Sequence, residues 1–341
     1  MSLNYFITGG AGFIGSNYVQ RLLKRGEKVT LYDNLSRAGA PRNLAWLKAT
    51  FGESAFKLVV GDVRDAGLLE VASREADIII HLAAQVAVTT SVVKPREDFE
   101  INAGGTFNVL EAARLNERKP VVIYASTNKV YGGMEDVHVV EKATRWEYEN
   151  LPFGAPETQP LDFHSPYGCS KGAGDQYVRD YSRIYDLPTV VMRQSCIYGP
   201  RQFGVEDQGW VAWMVIAAVT GRPLNIYGDG KQIRDLLHVD DLLDAYDAVL
   251  KKKNSIKGEI FNLGGGPQNT LSIWAEFGPM LEKLLGKSIP VARGDWRPGD
   301  QKVFVADIRK AEKELGWKPK INVEKGVKML FDWVSLNKDL F

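Results

Sequence analysis

Apolar residues in the first half of the chain come in short, β-branched runs separated by longer stretches with helical spacing. Tyr5-Phe6-Ile7, Lys28-Val29-Thr30-Leu31-Tyr32, Phe56-Lys57-Leu58-Val59-Val60, Asp77-Ile78-Ile79-Ile80-His81, Val121-Val122-Ile123-Tyr124-Ala125 and Thr189-Val190-Val191-Met192 read as strands. Such runs are buried in parallel sheets covered on both faces. Helical patterns fall between them, one carrying Val19, Leu22 and Leu23, others running from Asp98 to Leu115 and from Tyr167 to Tyr185. The alternation predicts an α/β fold with a doubly wound parallel sheet.

After Pro200 the pattern changes to Gly/Pro punctuation, aromatics and loops such as Gly228-Asp229-Gly230-Lys231. Trp210 to Val219 is the longest apolar stretch, too short to span a bilayer and expected to be a buried helix. Ile260-Phe261-Asn262-Leu263 reads as a further strand returning to the first sheet. The expected division is therefore interleaved, with residues 1–199 plus about 238–264 in the sheet domain. Residues of about 200–237 plus 265–341 would form a smaller C-terminal α/β lobe that binds the substrate. Residues 133–163, including Arg145-Trp146-Glu147-Tyr148, read as a long polar and aromatic insertion, either a lid or surface decoration.

Between the first strand and helix lies Thr8-Gly9-Gly10-Ala11-Gly12-Phe13-Ile14-Gly15. Glycines there permit a tight bend and bring backbone N–H groups and a helix N-terminus to a pyrophosphate. The second strand ends in Asp33, about 18 residues past Gly15, where an acid accepts hydrogen bonds from an adenosine ribose. Strand, turn, helix, strand and acid together point to a dinucleotide, in a domain of the Rossmann type. Asp33 would repel a 2′-phosphate, which favours NAD over NADP, although Arg37 lies close enough to contact either.

Composition narrows the class. The 341 residues are 45% hydrophobic and 25% charged with a formal net charge of +1, giving no reason to expect nucleic acid or an anionic membrane as partner. The N-terminal residues enter a strand with no export pattern, and two cysteines, Cys169 and Cys196, support neither a disulfide scaffold nor a cysteine zinc site. A reducing cytoplasm is the expected location. His81, His138, His164 and His238 have no metal-ligand spacing, so no metal is expected, and His81 reads as a structural histidine.

Tyr167-Gly168-Cys169-Ser170-Lys171 places a phenol and an ammonium on one face of one helical turn. A tyrosine with an ordinary pKa near 10 is a poor base at neutral pH, and lowering it by ~3 units needs about 4 kcal/mol, which a nearby lysine charge can supply in large part. The Val121 to Ala125 strand ends in Ser126-Thr127, at the strand end where open α/β sheets present chemistry. Arg234 and Arg297, apart in sequence, could converge on a diphosphate, for which guanidinium forks are suited.

These residues carry a resemblance. Thr8 to Gly15, Asp33, Gly61-Asp62, His81-Leu82-Ala83-Ala84, Asn102, Ser126-Thr127, Val130-Tyr131-Gly132, Ser165-Pro166-Tyr167 to Lys171 and Tyr198-Gly199-Pro200 resemble, in order over nearly the whole chain, the extended short-chain dehydrogenase/reductases that act on nucleotide sugars. The resemblance implies a catalytic triad of Thr127, Tyr167 and Lys171. Tyr167 would shuttle the proton, Lys171 hold the nicotinamide ribose and depress the tyrosine pKa, and Thr127 orient the reacting hydroxyl. It further implies cofactor contacts at Gly9, Gly12, Phe13, Ile14, Gly15, Asp33, Asn34, Ser36, Arg37, Asp62, Val63, Leu82, Ala83, Ala84, Gln85, Asn102 and Ser126, with Tyr167 and Lys171. A homodimer or homotetramer, paired through helices near residues 100–115 and 167–185, is expected.

Within that family, Asp33-Asn34-Leu35-Ser36-Arg37, Ser126 to Gly132, Leu161 to Gly172, Asp207-Gln208-Gly209-Trp210 and Asp300 to Asp307 are similar to the branch that epimerises CDP-linked sugars at C2. Substrate contacts are then expected from Thr127, Asn128, Lys129, His164, Cys196, Arg201, Gln202, Gln208, Trp210, Arg234, Arg297 and Gln301, with Trp210 open to a core role and His164 to a loop-capping role instead. Asn128-Lys129 offers none of the carboxylates that a dehydratase uses after its serine or threonine. A 4-epimerase of UDP- or GDP-sugars with the same triad is the alternative, and a non-catalytic NAD-binding regulator a further one.

Overall fold

Each apolar run of the first half forms a strand in the computed structural model, which describes residues 2–297 and 300–341. In order come β1 (Asn4–Thr8), α1 (Phe13–Lys24), β2 (Lys28–Asp33), α2 (Gly39–Phe51), β3 (Lys57–Val60), α3 (Ala66–Ser73) and β4 (Ile78–His81). Two short helices, α4 (Val88–Val93) and α5 (Pro95–Phe99), a π-helical turn at Glu100–Gly104 and α6 (Gly105–Leu115) lead to β5 (Val121–Thr127). A hairpin of β6 (Val139–Glu141) and β7 (Trp146–Tyr148) precedes the long helix α7 (Ser165–Tyr185) and β8 (Thr189–Gln194). Then follow β9 (Cys196–Tyr198), α8 (Trp210–Thr220), β10 (Leu224–Tyr227), β11 (Ile233–His238), α9 (Val239–Lys252) and β12 (Ile260–Leu263). The chain continues through β13 (Thr270–Ser272), α10 (Phe277–Leu285), β14 (Val291–Gly294), β15 (Val303–Phe304), α11 (Arg309–Leu315) and α12 (Val323–Leu336).

The main sheet has seven strands in the order β12-β8-β5-β4-β1-β2-β3. β1 runs parallel to β2 and β4, β2 to β3, and β4 to β5. The order reverses between β1 and β4, so the C-terminal ends of these strands open a crevice at a switch point, the place where such sheets bind ligands. Phe6, Ile79, Val109, Val122, Tyr124, Val178 and Val191 pack in one buried cluster of this layer. β12 takes the edge beside β8, as the return strand expected from Ile260 to Leu263.

The chain packs as two units. The first comprises the chain up to Thr127, Ser165–Arg193 and Tyr246–Phe261; the second comprises Asn128–His164, Gln194–Ala245 and Asn262–Phe341. Residues 128–164, which the sequence groups with the sheet domain, thus pack with the second unit. That unit holds a four-stranded sheet of β9, β11, β13 and β15 and a parallel pair, β10 with β14. Its core is built on α8, whose Val211, Ala212, Val215 and Ile216 pack with Phe277, Leu281, Val327 and Leu330. Among the described residues no helix is long and apolar enough to cross a membrane.

Two elements differ from the sequence reading. The pattern from Asp98 to Leu115 is broken by the π-helical turn, where Asn102 turns inward to accept from the Gln85 backbone N–H and to donate to the Gln85 carbonyl. The 133–163 insertion is not a detached lid or decoration. Its Ala155 is fully buried, Val139, Trp146 and Tyr148 pack on Ile233, Val303 and Val305, and Arg145 forms a two-pronged pair with Glu276.

α7 is tied to β8 by a buried ion pair, Asp175 with Arg193, at 2.9 Å through both prongs. Both residues are at most 3% exposed. Arg193→Ala would leave the Asp175 carboxylate buried without its cation, an expected loss of roughly 3–5 kcal/mol by urea denaturation. The double variant with Asp175→Ala is expected to recover part of that loss.

Candidate active site

The glycine turn follows β1. Gly9 adopts φ +67° and a Cβ on it would sit 2.8 Å from the Ala83 backbone nitrogen; at Gly15 a Cβ would meet the Gly9 carbonyl oxygen at 2.3 Å. Only hydrogen at both positions lets α1 start this close to the turn. α1 has Gly12 as its N-cap with no side-chain cap, so its first-turn N–H groups, on Phe13, Ile14 and Gly15, face outward for an anion. Asp33, at the end of β2, accepts from Ala11 N–H at 3.0 Å and from Leu35 N–H at 2.8 Å, and burial raises its pKa above the ordinary carboxylate value. The turn, the bare helix start and the acid together fit a dinucleotide.

Around this cradle the structure sorts the other expected cofactor residues. Asn34 donates to Asp62, whose carboxylate is clamped by Arg64 and lies well below its ordinary pKa because of that pairing. Ser36 and Arg37 are exposed beside them, and Val63 is buried against Gly105. Leu82 and Ala83 donate backbone N–H groups to the Thr8 hydroxyl, and Ala84 and Gln85 continue that half-buried loop. His81 is held between Thr8 Oγ1 at 2.7 Å and Thr106 Oγ1 at 3.1 Å, and burial drives its pKa down to about 3, a structural histidine as read from the sequence.

β5 ends in Ser126 and Thr127, both buried, and α7 brings Tyr167 and Lys171 into the same unit. Thr127 is hydrogen-bonded to the Tyr167 phenol, which favours the phenolate, but burial outweighs this and pushes Tyr167 up to about 12. Lys171 does not spend its ammonium on that phenol: Nζ donates to the Ala125 carbonyl at 2.7 Å and lies 4.2 Å from the centre of the Tyr124 ring. Burial pulls its pKa down to about 7, with Asp175 and Asp98 pulling the other way. Ser126 donates to Asp175 at 2.7 Å, a contact sequence reasoning did not reach.

The expected substrate residues other than Thr127 lie in the second unit. Arg234 is buried and paired with Asp300 at 2.6 Å, whereas Arg297 pairs with Asp207 at 3.3 Å and stacks over Tyr227 at 4.0 Å. Each arginine therefore has its own carboxylate rather than one shared gap. Lys129 lies 3.4 Å from Gln301 Oε1; burial and then Arg234 draw its pKa down to about 8, opposed by Asp300 and Cys196. Gln301 also donates to the Gly132 carbonyl, and Asn128 is buried. Cys196 accepts from the Trp210 indole at 3.5 Å, and Trp210 packs edge-on against Phe277 at the rim of the α8 core. Gln202 is buried with no hydrogen-bond partner for Oε1 among the described residues. Arg201 has φ +70° and lies over Trp333, Gln208 closes a tight turn with Val205, and His164 is half exposed, 4.0 Å from Asp162. Among the described residues no group of three or more His, Cys, Asp or Glu could hold a metal ion.

Known proteins match this arrangement over its whole length. The family profile described as GDP-mannose 4,6 dehydratase matches residues 6–330. A CDP-paratose 2-epimerase of Salmonella typhi is 44% identical over 340 residues, 98% of this chain and 99% of that protein. The structure of DesIV, a dTDP-glucose 4,6-dehydratase of Streptomyces venezuelae with NAD and TYD bound, superposes with a TM-score of 0.85 at 30% identity over 99% of each chain. A UDP-glucuronic acid 4-epimerase of Bacillus cereus in complex with UDP-glucuronic acid and NAD gives 0.82 at 29% identity, covering 99% of this chain and 100% of that one. With its glycine turn, its Tyr167–Lys171 helix and these end-to-end matches, the chain belongs to the GDP-mannose 4,6 dehydratase family, among the extended short-chain dehydrogenase/reductases that include nucleotide-sugar epimerases and dehydratases.

Proposed function

We propose that this protein binds NAD and epimerises C2 of a CDP-linked deoxyhexose, such as CDP-paratose to CDP-tyvelose. The observation that carries the reading is the 44% identity, over essentially both full lengths, to a CDP-paratose 2-epimerase. NAD, when bound, supplies a hydride acceptor at one half of the cycle and a donor at the other. The residues of this chain supply the rest. The Gly9 to Gly15 turn and the start of α1 would hold the pyrophosphate, Asp33 the adenosine ribose, and Lys171 the nicotinamide ribose.

Tyr167 would take the proton of the C2 hydroxyl and return it once the sugar has presented its other face, with Thr127 orienting that hydroxyl. At rest Tyr167 is a neutral phenol, held up to about 12 by burial, and Thr127 works against that height by supporting the phenolate. Lys171 is the chain's own cation for lowering it further when the site is filled. In the second unit, Lys129 and Arg234, with the unpartnered Gln202 oxygen, are the proposed hydrogen-bonding groups for the nucleotide sugar, and the absence of a carboxylate at Asn128-Lys129 disfavours a dehydratase. The 4-epimerases among the solved relatives keep C4 as the second reading.

A second copy of this chain is the proposed partner. Phe99, Phe107 and Tyr177 stand exposed on one groove beside Ala103 and Ala173, with Arg64 and Glu100 on its edge. A patch with apolar centre and both charges at its rim can meet itself across a two-fold axis.

Three outcomes are expected. Run in heavy water, the reaction gives product without deuterium at C2 by NMR, and substrate deuterated at C2 keeps its label; solvent deuterium at C2 overturns the hydride route, and label behaviour confined to C4 supports the 4-epimerase. Asp33→Ala loses about 1.5–3 kcal/mol of NAD affinity and much of the preference over NADP, measured by titration of cofactor-stripped protein; unchanged relative affinities would remove Asp33 from the site. Phe107→Glu shifts the light-scattering mass from dimer to monomer, and a monomeric wild type would refute the pairing.

A further inference from the structure

Asp98 takes no part in the chemistry proposed above, yet it is fully buried, at 0% exposure, at the end of α5. A buried carboxylate is costly unless it is hydrogen-bonded. Here three neutral side chains donate to it: Gln85 Nε2 at 2.8 Å and Asn102 Nδ2 at 3.1 Å to one oxygen, and Ser170 Oγ at 2.5 Å to the other. Ser170 directly precedes Lys171 on α7, and its hydroxyl also lies 3.2 Å from the Tyr167 carbonyl. Asn102, at the π-helical turn, donates to the same hydroxyl at 3.1 Å. A carboxylate with no ion pair among the described residues is thus bolted to the helical turn that carries Tyr167 and Lys171.

We propose that Asp98 is a positioning residue for the Tyr167–Lys171 couple: through Ser170 it fixes the first turn of α7 and with it the placement of both side chains. The proposal rests on the roles given to Tyr167 and Lys171 above. Asp98 raises both groups by its charge. Lys171 faces Asp98 from α5, Asp175 from its own helix and His81 from β4, while Tyr167 faces Thr127 from β5 and Asp98. Burial lowers Lys171 to about 7 even with the two carboxylates beside it, and each of them, Asp175 more than Asp98, opposes that fall. Burial holds Tyr167 as a phenol at rest and the Asp98 charge adds to that, so the phenol can donate a proton, while the phenolate formed once the site is filled is the form that accepts one.

The test uses the NAD-loaded full chain and two variants. Removing a negative charge lowers both pKa values, so Asp98→Asn is expected to move the profile of kcat against pH to lower pH by roughly one unit. Ser170→Ala keeps the charge and cuts the link, and is expected to lower kcat about tenfold without moving the profile. Tyrosinate absorbance gives a readout independent of turnover: the difference between each protein and the same protein carrying Tyr167→Phe isolates the ionisation of Tyr167, which should shift down in Asp98→Asn. A folded Asp98→Asn whose rate profile and tyrosinate titration both match wild type overturns the proposal, as does wild-type kcat in Ser170→Ala, which decides the matter if Asp98→Asn fails to fold. A purely structural Asp98 would lower the melting temperature and leave both titrations in place. Normal turnover in Tyr167→Phe would instead refute the catalytic reading, while the absorbance titration still reports on Asp98.

Discussion

Lys171 carries an ammonium group into the interior of the first unit, with 4% of the residue exposed, and its surroundings are arranged around the cost of keeping it there. The Ala125 carbonyl and the face of Tyr124 receive it, and Asp98 and Asp175 oppose the effect of burial. Those carboxylates then need satisfaction of their own. Asp175 takes Arg193 and Ser126; Asp98 takes Gln85, Asn102 and Ser170. Tyr124 can lie where it does because residue 174 is a glycine, on which a Cβ would meet the phenol oxygen at 2.6 Å. His81, stacked against that ring, is held neutral by burial, and the nearby Lys171 cation adds to it. One buried charge therefore dictates residues on β4, β5, α5, α7 and β8.

Much of this was legible in the sequence wherever the determinant is local. The turn from Gly9 to Gly15 and the acid at Asp33 announce themselves because strand, bend, helix and strand follow within one continuous segment, and β12 stands out as an apolar run between loops. Asp98 carries no such mark. A polar residue in a helical pattern reads as a solvated face, and only the contacts with Gln85 and Ser170, brought together by folding, show that it points inward. The π-helical turn is equally silent, since one extra residue in a turn barely disturbs apolar spacing. The hairpin within residues 133–163 has strands of three residues each, below the length at which alternation can be recognised.

The arginines show the same limit from the electrostatic side. Asp300 lies three residues after Arg297 in sequence but pairs with Arg234, and Arg297 turns to Asp207 instead. Spacing says which charges exist, not which meet. Because both guanidinium groups already hold carboxylates, an incoming diphosphate would exchange one anion for another rather than fill an empty fork, so specificity would come more from geometry than from raw attraction.

The π-helical turn at Glu100–Gly104 has a consequence for how this lineage can vary. It amounts to one surplus residue in an otherwise continuous helix, and each residue turns an α-helix by about 100°. Deleting any one of those five positions would let the helix close up as a regular spiral and swing everything before it relative to everything after. Asp98 would leave its cage, or Phe107 would rotate off the exposed face, but the two could not both keep their directions. The length of this stretch cannot change without uncoupling the interior of the unit from its surface.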